Sequence, residues 1–171
     1  MLHIFSKNET VEPRIVVLDK PIAAVGLSIR TGMKSVFKDL PKVYDRYMKL
    51  KAQNGIPNIK EPWEYVSLSK NFTDEKSWDY YTGHVVTSRN AVAEEFLGFE
   101  VPAGTYAVFP IRGKGKLFFG MAVGKMKRYI YETWLPQSQY EFGGYEFEYN
   151  NEAMHAENPY AIDLYVAING K

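Results

Sequence analysis

The sequence predicts an α+β fold made of two similar halves, in which an antiparallel sheet carries two long helices on one face. Strand-like and helix-like segments follow one another in the order strand–helix–strand–strand, and that order occurs twice along the 171 residues. Residues 24–30 can also be laid on residues 106–112, an offset of 82 that is close to half the chain. We therefore expect one domain over residues 1–171, with half repeats at about 13–90 and about 98–170.

The first half is predicted to contain two extended segments, a long helix and two more strands. Arg14–Leu18 is short and β-branched, and residues 22–30 alternate, so both are predicted strands. Residues 35–54 are a predicted helix, because apolar residues recur at spacings of three and four until a glycine and a proline follow. Residues 63–69 and 78–86 alternate again, which predicts two further strands.

The second half repeats this order. Residues 105–112 form a predicted strand after a turn that contains a proline and a glycine. Residues 117–135 are the second predicted helix, which a proline stops. Residues 145–150 and 160–169 are the last two predicted strands. Two halves of this kind are expected to leave a ligand cleft where they meet.

Composition excludes several classes of protein. Lys+Arg is 21 and Asp+Glu is 20, a balance that argues against a dedicated nucleic-acid binder or a binder of anionic membranes. The absence of cysteine excludes disulfides, thiolate zinc sites and a cysteine nucleophile. His3, His84 and His155 are far apart in the sequence, so we expect no metal site. We also expect no cofactor.

The sequence shows no secretory or membrane signal. The N-terminus lacks a basic segment followed by a long apolar stretch, and the longest nearly apolar stretch, residues 21–29, is far short of the roughly 20 residues that a membrane helix needs. We therefore expect a cytoplasmic protein without membrane contact.

Strand alternation predicts a set of aromatic and acidic side chains on the sheet face away from the helices. Positions 162, 164, 166 and 168 are aliphatic and are expected beneath the helices, as are Val66 and Leu68. The opposite face is then expected to form a groove that contains Trp63, Tyr65, Tyr106, Glu148, Asp163 and Tyr165. Aromatic rings beside a carboxylate suit a flat hydrophobic cation, which gains stacking, cation–π attraction and a charge pair.

The same pattern also has a plainer interpretation. A one-sided antiparallel sheet normally carries polar and aromatic residues on its solvated face, with no ligand involved. The basic run at residues 125–128 is likewise typical of a solvated helix face, with a nucleic-acid contact as the alternative. Periodicity alone leaves these interpretations open.

Six segments, in order along the chain, resemble the GyrI-like effector-binding domains. These domains occur as stand-alone proteins and as C-terminal sensor domains of AraC-type and MerR-type multidrug regulators. The nearest likeness is that of residues 99–109, FEVPAGTYAVF, to the family's ipaGkYavF segment. The other similar segments are residues 24–31, residues 80–86, residues 130–138 (IYETWLPQS), Phe147-Glu148 and residues 162–168.

The resemblance implies a small-molecule binder with two β-α-β-β halves around a cleft. In the family a glutamate deep in the cleft pairs with lipophilic cationic drugs and dyes, and aromatic rings stack around it. By motif this glutamate falls on Glu148, with Glu146 as the alternative two residues earlier, while Asn150 stands where the family often has tyrosine. The expected ligand-binding set is Glu148, Trp63, Tyr65, Tyr81, Tyr106 and Tyr165.

Effector binding in a drug-sensing or transcription-regulation role is the expected function. The two long helices are separated by several strands and form no convincing helix-turn-helix, so we expect no direct DNA contact and a regulatory protein as partner. Two alternatives stay open. One is a hydrolase of reactive cyclopropane-bearing genotoxins, in which Glu148 activates water and Tyr106 or Tyr165 serves as proton donor. The other is a protein-interaction module of the gyrase-inhibitor type.

Overall fold

The computed structural model describes residues 11–150, 156 and 160–171, which form eight strands and two long helices. The α+β prediction is confirmed. A π-helical segment, Ile130–Trp134, and the short helix α3, Leu135–Gln137, continue the second long helix. The other bounds are β1 Arg14–Leu18, β2 Ile22–Gly32, α1 Val36–Asn54, β3 Tyr65–Lys70, β4 Ser77–Val85, β5 Leu97–Val101, β6 Gly104–Arg112, α2 Lys116–Tyr129, β7 Tyr140–Tyr149 and β8 Ala161–Gly170.

Two strands differ from the sequence-based expectation. β5 is absent from the predicted elements although Leu97, Phe99 and Val101 alternate with Gly98 and Glu100, because five residues that include a glycine give only a weak strand signal. β7 begins at Tyr140 rather than at residue 145. An irregularity between Phe142 and Glu146 breaks its alternation, so the sequence shows only the part of the strand beyond it.

All eight strands join one antiparallel sheet in the order β1-β6-β8-β7-β3-β4-β2-β5. Replacing each strand by its counterpart in the other half gives the same order read from the other end, so a pseudo-twofold axis lies between β7 and β3. The offset of 82 fits this symmetry, since Ala24 pairs with Val85 and, 82 residues later, Tyr106 pairs with Ala167. β1 pairs with β6 and β5 pairs with β2, so the halves exchange their edge strands.

Two residues in the middle of the sheet lie beside this axis. Ser67 of β3 pairs directly with Glu148 of β7. Ser67 also lies opposite Thr82, and Glu148 lies opposite Leu164, which follows Thr82 by 82 residues. Ser67 and Glu148 therefore occupy equivalent places in the two halves, with a hydroxyl in one and a carboxylate in the other.

The two long helices cover separate parts of one sheet face. α1 packs on β2 and β4, whereas α2 packs on β6 and α3 packs on β7. Each helix closes its own apolar core, which centres on Tyr47 in the first half and on Ile130 in the second. Neither long helix packs extensively on β3, so the middle of the covered face lies between the helices.

The opposite sheet face buries its own side chains without any helix. Tyr106, Val108, Val66 and Leu68 have no exposed surface there, because the sheet curls and brings the side chains of distant strands together. This face therefore contains a closed apolar core rather than an open groove. Among the described residues no helix combines the length and the apolar composition needed to cross a bilayer.

Candidate functional site

The candidate site is a cleft on the helix-covered face, above the two central strands. Its floor carries Tyr65, Ser67 and Ser69 from β3 and Glu146 and Glu148 from β7. These residues share one face because β3 and β7 pair antiparallel with Ser67 opposite Glu148 and Ser69 opposite Glu146. The two helices stand on either side and form the walls.

Glu146 is a fully partnered carboxylate. It is 3% exposed and forms an ion pair with the Lys127 ammonium. The hydroxyl of Tyr131 donates a second hydrogen bond to its other oxygen. Both partners project from the second long helix, Lys127 from α2 and Tyr131 from the π-helical segment, a kind of distortion that is frequent at functional sites.

Glu148 is the unpaired carboxylate of the floor. It is half-buried, and among the described residues it makes no hydrogen bond or ion pair. Burial raises the pKa of Glu148, the charge of Lys127 opposes that rise, and the neighbouring carboxylate of Glu146 reinforces it. A carboxylate in this state gains much from an incoming cation, because it has been desolvated without receiving a partner.

Lys127 holds its charge although it is partly buried in the wall. Burial alone would lower the pKa of its ammonium, but the carboxylates of Glu146 and Glu148 more than reverse that effect and raise it. Its side chain stays 31% exposed, while its ammonium pairs with the buried carboxylate of Glu146.

The α1 wall is aromatic and apolar. Phe37, Tyr44 and Met48 lie on one side of the helix, and Phe37 is 82% exposed and Tyr44 48% exposed. Tyr44 meets the floor ring of Tyr65 edge-on, with the ring centroids 6.1 Å apart. This contact places Tyr44 at the border of the cleft, with Phe37 and Met48 on the same side of the helix.

The α2 wall has open space where the α1 wall has rings. Gly120, Gly124, Lys127 and Tyr131 follow one another at helical spacing and share the side that meets Glu146. Apart from the adjacent residues and the backbone of the helix itself, no atom of the described residues lies within 4 Å of the position that a β-carbon would occupy on either glycine. The glycines therefore widen the cleft.

Hydroxyl groups fix the floor on the side of the first half. Thr82 Oγ1 lies 2.5 Å from the Tyr65 hydroxyl and 2.9 Å from Ser67 Oγ, which joins β3 to β4. Tyr80 borders the same floor, where burial and the nearby carboxylate of Glu148 raise its pKa to about 12. At neutral pH these groups are uncharged hydrogen-bonding partners.

The structure separates the predicted site residues onto two faces, and the prediction of one shared groove is wrong. Glu148 and Tyr65 lie in the cleft, whereas Tyr81, Tyr106 and Tyr165 belong to the core of the helix-free face. Asp163 lies on that same face, where Arg14 binds it. Trp63 lies in the turn that precedes β3.

The register of β7 and β8 gives the physical reason. Phe147 pairs with Tyr165 and stacks on it at 4.5 Å, so Glu148, the next residue, points to the other side. The proposed hydrolase trio is therefore contradicted, since neither Tyr106 nor Tyr165 shares a face with Glu148. The Tyr106 hydroxyl, moreover, donates to the Pro102 carbonyl oxygen at 2.5 Å.

Sequence reasoning missed the α2 wall. The sequence predicts a solvated face or a nucleic-acid contact for the basic run at residues 125–128, yet Lys127 turns inward to Glu146. The spacing of Gly120, Gly124, Lys127 and Tyr131 on one helix face is a signal that could have found it. Glu146 and Glu148 were open alternatives, and both lie on the cleft floor.

Other places in the fold are less suited to a ligand. A shallow depression at residues 30–35 and 75–77 has no aromatic lining and lies at the end of the sheet. His84 is buried between Tyr47 and Pro62, while His3 and His155 fall outside the described residues. Within the described part of the chain no group of three or more acidic, histidine or cysteine side chains is placed to hold a metal ion.

Solved structures share this architecture at low sequence identity. An integron cassette protein from the mobile metagenome of Vibrio cholerae superposes with a TM-score of 0.62 at 13% identity, over 92% of this chain and 96% of that one. A candidate bacterial transcription regulation protein from Staphylococcus aureus MU50 gives 0.68 at 13% identity, over 94% and 100%. SAV2435 bound to tetraphenylphosphonium gives 0.68 at 13% identity, over 94% and 95%.

Sequence comparison points to the same group of proteins. A search of curated protein sequences found no significant match. The family profile of integron-associated effector-binding proteins matches residues 14–168, which is nearly the whole chain. The expected relation to GyrI-like effector-binding domains is thereby confirmed, and the chain belongs to the integron-associated effector-binding protein family.

Proposed function

We propose that the cleft binds a lipophilic, aromatic cation, with Glu148 as its counter-charge, in a drug-sensing or regulatory role. The single observation that carries this proposal is the difference between the two floor carboxylates. Glu146 has Lys127 and Tyr131 as partners, whereas Glu148 has none among the described residues. A half-buried carboxylate without a partner favours a ligand that brings a positive charge.

The walls determine the remaining chemistry of the ligand. Tyr44, Tyr65 and Phe37 offer ring faces and edges, which attract a cation through their quadrupoles and an aromatic ring through stacking. Ser67 and Ser69 are buried on the floor, where their hydroxyls add uncharged polar groups. An aromatic cation therefore fits better than a small inorganic ion.

The comparisons support the proposal at the level of the fold. The neighbour that was solved with tetraphenylphosphonium carries a lipophilic monocation. The neighbour from Staphylococcus aureus MU50 is described as a candidate transcription regulation protein, which favours a sensing role.

The test is a fluorescence titration of wild type and Glu148→Gln with ethidium, a planar aromatic monocation. We expect saturable binding to wild type and a loss of about tenfold or more in affinity for the variant, which is about 1.4 kcal/mol. Phenanthridine, the uncharged parent ring system, should bind both proteins with similar affinity, because the substitution removes charge and keeps shape.

Glu141→Gln is the matched control, since Glu141 lies on the same strand and is exposed. It should bind ethidium as wild type does. Equal losses for ethidium and phenanthridine in Glu148→Gln would contradict charge pairing, and no binding of ethidium by wild type would contradict the proposed function.

A further inference from the structure

The cleft carries a fixed set of three charges. Glu146 and Glu148 are two residues apart on β7, which places their α-carbons about 7 Å apart on one face. Lys127 reaches the same floor from α2 and forms an ion pair with Glu146. With all three groups ionised, two carboxylates and one ammonium leave a single negative charge.

Lys127 acts on both carboxylates, although it binds only one of them. Its Nζ donates to Glu146 Oε1, and its charge also acts on Glu148. The Tyr131 hydroxyl completes the coordination of Glu146. Lys127 thus behaves as a resident cation that already occupies one of two possible counter-charge positions.

We propose that Lys127 sets the charge of the ligand, so that the cleft accepts one positive charge and discriminates against dications. This inference rests on the proposed function, because it concerns the same cleft. A second cationic centre on a ligand would find its carboxylate taken and would be repelled by the Lys127 ammonium. The partly buried surroundings weaken screening, which keeps that repulsion effective.

Ethidium and propidium provide a matched pair of probes. They share the phenanthridinium ring system, and propidium adds a side chain with a second, quaternary ammonium. The readout is the ratio of their dissociation constants, which removes effects common to both dyes. For wild type we expect ethidium to bind more tightly, by about threefold or more.

Lys127→Met removes the ammonium and keeps an unbranched side chain. We expect the preference to reverse, with propidium bound about tenfold more tightly than ethidium, which corresponds to about 1.4 kcal/mol. Lys127→Met/Glu146→Gln leaves Glu148 as the one carboxylate, and the wild-type preference for ethidium should return. Thermal unfolding of each variant reports whether it is folded.

Glu146→Gln gives a test that does not depend on Lys127→Met being folded. Lys127 loses its partner in this variant and becomes free to pair with Glu148, so we expect ethidium affinity to fall about tenfold. Adding Lys127→Met to Glu146→Gln should restore that affinity. A substitution that acts only by disturbing the fold would not be rescued by a second one.

The outcomes separate this inference from the proposed function. If Glu148→Gln binds ethidium as wild type does, the proposed function fails. If Glu148→Gln loses ethidium while Lys127→Met keeps the wild-type ratio of the two dyes, only the assignment of Lys127 is overturned. The assignment of Lys127 is also overturned if Glu146→Gln and Lys127→Met/Glu146→Gln bind ethidium equally.

Discussion

The two halves of the sheet build one wall of the cleft each, from equivalent backbone and different chemistry. In the first half Tyr44 of α1 contacts Tyr65 of β3. In the second half Lys127 of α2 contacts Glu146 of β7. Tyr65 and Glu146 occupy equivalent places, since Tyr65 pairs with His84 and Glu146 pairs with Val166, 82 residues later. An aromatic contact in one half is thus an ion pair in the other.

The difference shows how a repeated fold produces an asymmetric site. Seven residues before Tyr44 the α1 wall carries Phe37, and seven residues before Lys127 the α2 wall carries Gly120. One half therefore supplies rings, and the other supplies charge and space. Exchanging a residue for its counterpart in the other half tests each part of this division.

The largest expected effect is on the pH dependence of stability, and it concerns His84, whose counterpart in the second half is Val166. Burial lowers the pKa of His84 to about 4, the charge of Lys51 adds to this, and its hydrogen bond to the Pro62 carbonyl oxygen opposes it. The unfolded chain takes up a proton below about pH 6.5 and the folded chain only near pH 4, so stability falls as the pH decreases through that window. The difference between the two pKa values of His84 corresponds to roughly 3 kcal/mol of stability that is lost across this window.

His84→Val should therefore remove a large part of the acid sensitivity. Urea unfolding of both proteins at several pH values measures it, and the slope against pH is the readout, because carboxylates that titrate in the same window contribute equally to both. Parallel slopes would mean that His84 is protonated as easily in the folded chain as in the unfolded one.

The next effect concerns Glu148, whose counterpart is Ser67. Burial and the neighbouring carboxylate of Glu146 raise the pKa of Glu148 above its usual value. Only the ionised form attracts a cation, so ethidium affinity should rise with pH, by up to tenfold per pH unit, until the pH exceeds the raised pKa. A series of titrations that starts at the ordinary pKa of a glutamate and continues to alkaline pH would show this rise in wild type and a flat profile in Glu148→Ser.

The smallest effect concerns Gly120, which lies seven residues before Lys127 as Phe37 lies seven residues before Tyr44. Gly120→Ala should raise the free energy of unfolding by about 0.5–1 kcal/mol, because alanine is the better helix former and its β-carbon would meet no described atom within 4 Å beyond the adjacent residues and the helix backbone. Gly120→Phe should narrow the cleft and weaken ethidium binding without loss of stability. Thermal unfolding measures the stability of the two variants, and fluorescence titration measures their affinity for ethidium. A destabilised Gly120→Ala would show that the helix, rather than the cleft, requires the glycine.

Much of the fold could be predicted from the sequence. The alternation of residues 78–86 and the three-and-four spacing of residues 35–54 indicate local backbone structure. The folded chain has a strand and a helix at these two segments, as predicted. The short strand β5 also alternates, but over only five residues that include a glycine, so its local signal is weak. Its place in the sheet depends on pairing with β2, a contact that local pattern does not contain.

The site was predicted less well, for a geometric reason. Alternation shows which residues share a face, but it does not show which face lies beneath a helix. Val66 and Leu68 are as apolar as any residue under the helices, yet they belong to the core of the helix-free face. Because the curled sheet buries both faces, hydrophobicity alone could not decide which face lies beneath the helices. Since Val66 and Leu68 were assigned to the wrong face, Tyr65 and Glu148 were assigned to the wrong face as well. Glu148 was found through its motif.

The exchanged edge strands have a consequence for biosynthesis. Among the described residues β1 pairs with β6 alone, and its Arg14 pairs with Val108, which is synthesised 94 residues later. Until that segment has left the ribosome, Ile15 and its β-branched neighbours form an unpaired edge that can recruit other chains. Contacts of such long range also slow folding, because a large loop must close before they form. Truncation between β4 and β6 should therefore give an aggregating fragment rather than a half-sized domain.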